Sequence, residues 1–168
     1  IDARGKGYWI KHDQSRLSGC SHGGRMSPDS PPCYGDPREP IHIGMGYHER
    51  GNAFNGKGGG ALYIVASGEA VVDGIIRADA WDASTVNANA SYAGAQGAAG
   101  SVFINADSIT GTGSITAIGT GCSEEGLVFK DGDRLLTTDN NFKGTGGRVA
   151  LRTRLPVDRS TFASISAQ

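Results

Sequence analysis

Short alternations of apolar and polar residues recur along the chain, each bounded by glycine, and one such pattern appears three times. The segments GGGALYIVASGEAVVDGIIRADA, GAAGSVFINADSITGTGSITAIGTG and GTGGRVALRTRLPVDRSTFASISAQ superpose. Each opens on glycine, runs as an alternating strand, turns, and closes on an Ile-x-Ala strand. The closing motif is Ile76-Arg77-Ala78, then Ile115-Thr116-Ala117, then Ile165-Ser166-Ala167, and Ile1-Asp2-Ala3 shows it again at the start. A strand places residues i, i+2 and i+4 on one face. Leu62, Val102 and Val149 therefore align, as do Ile64, Ile104 and Leu151, and Ala66, Ala106 and Thr153. Tyr63, Phe103 and Ala150 point the other way. Around Val71-Val72, Ile109 and Leu155–Val157 the copies differ in length, and the pattern sets no register.

One such segment has nowhere to bury three apolar side chains, so stacking is required: coils about 4.8 Å apart turn each aligned set into an interior ladder. The repeat logic predicts an all-β fold, a right-handed parallel β-helix of about three coils, as a single segment over residues 1–168. An antiparallel sandwich would not require the same Ile-x-Ala phase four times. Ala78, Ala117 and Ala167 suit narrow interior corners. Gly60, Gly100 and Gly147 suit bends, where positive φ is often needed.

The excess length lies after each Ile-x-Ala strand, at residues 4–57, 79–99 and 118–146. Insertions at one point of successive repeats emerge on one side, which is often the binding side. They also serve as a cover for the outward sheet face, hiding Tyr63 and Phe103. The first is chemically richest, with Tyr8, Trp9, His12, His22, Tyr34, His42, Tyr47 and His48. Aromatics among Gly, Ser and Asp are what carbohydrate platforms and protein interfaces use. Tyr8, Trp9, Tyr34, Tyr47 and His48 form the candidate contact loop.

Composition narrows the function. Sixteen Lys and Arg against 17 Asp and Glu leave no electrostatic footprint for nucleic acid or anionic membrane. No apolar run reaches the roughly 20 residues of a membrane span. The 27 glycines lack a period of three, which fits a fold made of many turns. Starting at Ile1 and stopping after an alternation, the chain reads as an excerpt of a longer protein.

Candidate chemistry is sparse. Cys20 and Cys33 share the first insertion and are a candidate disulfide; Cys122 lies in the third and is an alternative partner for either, leaving one thiol over. Cysteine usage points to an oxidising, extracellular setting. The histidines have no short zinc-type spacing. Asp131-Gly132-Asp133 and Asp139-Asn140-Asn141 offer oxygens to weakly bound calcium, yet neither fits a twelve-residue calcium loop, and solvated turns explain them better. No cofactor is expected beyond that. Asn89-Ala90-Ser91 is a glycosylation sequon. No nucleophile elbow or zinc-protease motif is present, and Gly58-Gly59-Gly60 leads into a strand rather than a phosphate-binding helix. The outward ladders Tyr63/Phe103/Ala150 and Arg77/Thr116/Ser166 stack no carboxylate pair, so no general acid with its partner is in view. Asp2 beside Arg77 reads as a cross-coil salt bridge.

The motifs at Gly58–Ile64, Asp73–Ala78, Gly100–Ile104, Gly111–Gly119 and Gly146–Leu151 resemble glycine-rich β-helical repeats of large cell-surface and extracellular proteins. Similar repeats occur in bacterial adhesin-like proteins and in secreted proteins of algae and protists, including flagellar-hair components. The resemblance covers most of the chain; its departure is the first insertion, which is richer in His, Cys and charge. It is specific for architecture and poor for activity. Open coil ends without a capping helix at either end point instead to a non-enzymatic structural or adhesive module of an extracellular filament or surface assembly. Its partners would be further coils or subunits, end to end or through loops, and glycans. The alternatives are a carbohydrate-binding module and, behind it, a β-helical polysaccharide lyase or hydrolase.

Overall fold

The structure is a computed structural model, and it describes residues 1–8, 22, 33–46, 57–81, 97–119, 128–131, 134–137 and 145–167. The regular structure among them is strand, apart from one 3₁₀ turn at Arg159–Thr161, so the fold is all-β. The first repeat supplies β1 (Ala61–Val65), β2 (Glu69–Val71) and β3 (Ile75–Arg77). The second supplies β4 (Ser101–Asn105), β5 (Ser108–Thr110) and β6 (Ser114–Thr116). After a hairpin of β7 (Val128–Asp131) and β8 (Arg134–Thr137), the third supplies β9 (Arg148–Arg152) and β10 (Ser164–Ser166).

Consecutive strands of a repeat never pair with each other. Each strand pairs in parallel with its counterpart one repeat away, giving sheets ordered β1-β4-β9, β3-β6-β10 and β2-β5. The register is the one the alternation sets: Leu62↔Val102↔Val149 and Ile64↔Ile104↔Leu151 in the first sheet. In the second it is Ile76↔Ile115↔Ile165. A parallel bridge at Asp2↔Arg77 adds Ile1-Asp2-Ala3 as a fourth rung. A slip of one residue would turn every apolar side chain outward, so one buried face pins all these pairings.

The turn region, where the pattern sets no register, resolves unevenly. Ala70 lies opposite Ile109 in the β2–β5 pair. The third repeat has no matching strand; there Leu155, Pro156 and Val157 lead into the 3₁₀ turn, whose Asp158 caps the Ser160 amide. Pro156 has no amide to give to a ladder. Phe162 closes the interior of that repeat instead.

The core is a column. Val102, Ile104 and Ile115 of the middle repeat are fully buried, as are Ala78 and Ala117 at the corners. Leu62 and Ile64 on one side, and Val149, Leu151 and Ile165 on the other, are only partly buried. Ala167, expected at an interior corner, is exposed.

The bend glycines do a different job from the one their position suggests. Positive φ occurs at Gly5, Gly35 and Gly111, not at Gly60, Gly100 or Gly147. At Gly100 a Cβ would drive into the Gly60 carbonyl of the neighbouring repeat. What the site needs is backbone-on-backbone approach, which only glycine permits.

The bases of the three insertions adjoin. The Gly7 amide donates to the Gly58 carbonyl, the Gly5 amide to Asp79 and the Ala80 amide to Ile118. On the returning side, Gly59 donates to Ala98 and Ala99 to Thr145. Residues 44–46 thread into the same corner, with Gly44 donating to Gly59 and Met45 accepting from Ala98.

The salt bridge expected between Asp2 and Arg77 is replaced by another. Asp2 binds Arg4, whose guanidinium donates to both carboxylate oxygens at 2.7–3.0 Å. Two residues on one turn meet at little entropic cost, whereas the contact with Arg77 is one of backbone. These hydrogen bonds hold the Asp2 carboxyl down at about 2.

Candidate functional site

The best-built cluster of polar and aromatic groups lies where the first insertion covers the outward face of the β1-β4-β9 sheet. Alternation turns Ser101 and Phe103 of β4 away from the core column. In an open sheet both would meet solvent, yet Phe103 is 1 % exposed and Ser101 fully buried. Tyr63 of the preceding repeat stacks on Phe103 with ring centroids 4.9 Å apart. Its hydroxyl donates to Glu39 of the insertion at 3.0 Å, which pushes the Tyr63 phenol pKa up. Tyr63 itself stays half exposed, so the expected cover hides Phe103 and leaves Tyr63 at its rim.

The polar contacts converge on Ser101. Its hydroxyl donates to the His42 carbonyl at 2.6 Å. A hydroxyl has one proton to give, so the 3.1 Å contact with His22 Nε2 must run from the ring N–H to Oγ. That assignment leaves His22 Nδ1 as a bare acceptor, and it is buried with no hydrogen-bond partner. The His22 ring packs on Tyr34 at 5.1 Å, and Tyr34 meets His42 edge-on at 6.0 Å. The Tyr34 hydroxyl donates to the Ile43 carbonyl at 2.7 Å. Arg148 of β9, registered beside Ser101, donates to the Tyr34 carbonyl at 2.7 Å.

Gly35 makes this arrangement possible. Its φ is +84°, and a Cβ there would press on the Arg148 guanidinium and the His42 ring. Burial sets the titration of the cluster. Desolvation, with Arg148 and His42 adding repulsion, pulls the His22 pKa down to about 4. Desolvation likewise pushes the Tyr34 phenol up to about 12. At neutral pH both side chains are therefore uncharged, as a packed interface requires.

Chemically the cluster is a fastening. A serine nucleophile needs its proton within reach of a basic nitrogen, whereas the Ser101 proton is held by a carbonyl and the facing ring nitrogen is itself a donor. Among the described residues no group of three or more His, Cys, Asp or Glu could hold a metal ion.

Of the candidate contact residues, Tyr34 turns inward and is part of the fastening. Tyr8 is 59 % exposed, its backbone bridged to Met45. Trp9, Tyr47 and His48 lie outside the described residues, as do Asn89, Cys20, Cys122 and the Asp139–Asn141 turn. Cys33 is exposed and free. Asp131 ends β7 in the hairpin, paired with Arg134. A further exposed aromatic, Trp81, sits over Gly5 at the shared base of the first two insertions. Sequence reasoning missed Ser101 and Arg148. Small and charged residues at outward strand positions are ordinary on any solvated sheet, so nothing local marks them. No helix among the described residues is long and apolar enough to cross a membrane.

Comparison with known protein families, with curated proteins and with solved structures finds no match.

Proposed function

We propose that the chain is three coils of a right-handed parallel β-helix serving as a structural or adhesive module in an extracellular filament or surface assembly. The coils are scaffold, and the insertions at their common corner are contact surface. The observation that carries this reading is the gradient of burial along the column. The middle repeat is closed, while Leu62 and Ile64 at one end and Val149, Leu151 and Ile165 at the other remain partly open. Beside them β1 and β2, and β9 and β10, are edge strands, each with a side that no strand pairs among the described residues. Open parallel edges over exposed apolar rungs favour continuation by more strands of the same kind, from further coils or from another subunit. The right hand follows from the general rule for parallel crossovers.

Sedimentation velocity of the full chain over a range of concentrations tests it. End-to-end growth into elongated species is expected; a compact monomer at every concentration would count against it.

Exposed Tyr8 and Trp81, at 59 % and 40 %, favour a second reading as a carbohydrate-binding module at the corner where the insertions meet. Glycan binding lost on Trp81→Ala supports that reading, and a blank glycan array removes it.

A further inference from the structure

The fastening of the first insertion has a chemical asymmetry. His22 is fully buried, its Nε2 proton is given to Ser101, and its Nδ1 has no partner. The charged or titratable groups that act on the ring are Arg148 from β9 and His42 from the insertion, both basic. The third ring in contact, Tyr34, is an uncharged phenol whose carbonyl already binds the Arg148 guanidinium. A second proton on His22 would therefore sit buried beside a fixed cation, with only a weak backbone contact at Ala99 to favour it among the described residues. The Ala99 backbone is the one influence favouring that proton, and it is the weakest of the four.

We propose that His22 is an acid-sensitive latch: protonating it undocks the first insertion from the β1-β4-β9 sheet and uncovers Ser101 and Phe103. The two states differ in one proton and in the contacts of Ser101, Tyr34 and Arg148; the core column is common to both. The direction follows from the depressed value. Free His22 takes up its proton near 6.5, and the docked ring does so only near 4. Docking is thus at full strength above about pH 6.5, weakens as pH falls, and reaches its minimum below about pH 4. A displacement of that size corresponds to a change on the order of a hundredfold in the docked-to-undocked ratio.

Two readouts on the full chain test this. The His22 ring carbons, followed by NMR, should titrate well below 6.5. Amide hydrogen exchange should show Gly44 and Gly46, whose N–H groups bond Gly59 and Tyr8, losing protection between pH 6.5 and 4. The amides of Val102, Ile104 and Ile115 should keep theirs. His22→Gln can still donate to Ser101 and never charges, so it should hold Gly44 and Gly46 protected throughout. Should His22→Gln fail to dock at neutral pH, Arg148→Gln serves instead: it removes the fixed cation and should reduce the acid loss. Normal titration of His22 near 6.5 with Gly44 and Gly46 still protected at pH 4 would overturn the proposal. So would an acid loss of the same size in every variant.

Discussion

Tyr63 and Phe103 are registered partners on adjacent parallel strands, and their rings lie almost flat on each other, 19° from parallel. One is half exposed and the other 1 % exposed, so the same ladder position carries two different burdens. Phe103→Ala should cost about 3–5 kcal/mol, as for a buried aromatic. Tyr63→Ala should cost roughly 1–2 kcal/mol, mostly from the lost ring contact and half-buried area. Urea denaturation of the two variants and their double mutant reads both the costs and the coupling.

Glycine-to-alanine changes should split by location. At Gly100 a methyl group meets the Gly60 carbonyl of the next repeat, so Gly100→Ala should cost more than about 2 kcal/mol or prevent folding. Gly68 and Gly74 have nothing near a would-be Cβ and no left-handed φ. Alanine at either should be neutral or stabilise by roughly 0.4–1 kcal/mol, through the unfolded chain. Thermal melts of the three variants separate the cases.

The burial gradient makes equivalent rungs unequal. Ile104→Ala in the closed middle repeat should cost about 3–5 kcal/mol, whereas Ile64→Ala in the end repeat should cost markedly less. Equal losses by denaturant titration would show that the ends are as closed as the middle.

The Asp2–Arg4 pair gives a small, acid-sensitive contribution. Asp2 has a folded value of about 2, below its ordinary 3.8, so the contribution is present above about pH 4 and disappears toward pH 2. Both side chains are exposed to solvent, at 40 % and 49 %, so screening keeps the contribution small. Asp2→Asn should lower stability slightly at pH 7 and match the parent at pH 2, by paired denaturation curves.

What could be read in the sequence was whatever repeats. The ladders at Leu62/Val102/Val149 and Ile76/Ile115/Ile165 follow from period-two alternation in three copies, and Ile1-Asp2-Ala3 joins them for the same reason. The β2–β5 pairing and the strand missing from the third repeat do not, because a turn can absorb one residue without disturbing the ladders beside it. The antiparallel pairing of β7 with β8 has no sequence trace either, since those strands occur once and have no second copy to align with. The docking of the first insertion was illegible for a different reason. His22 meets Ser101 across 79 residues and Arg148 meets Tyr34 across 114, and neither pairing has a periodic trace.

The proposed end-to-end association of these repeats is tested most directly by hydrogen exchange at increasing protein concentration. Amides of β1, β9 and β10 facing away from the middle repeat should gain protection as concentration rises. Those of β4 and β6, paired on both sides, should already be protected at the lowest concentration. Edge-strand exchange that is fast and independent of concentration, in a chain that stays folded, would contradict it.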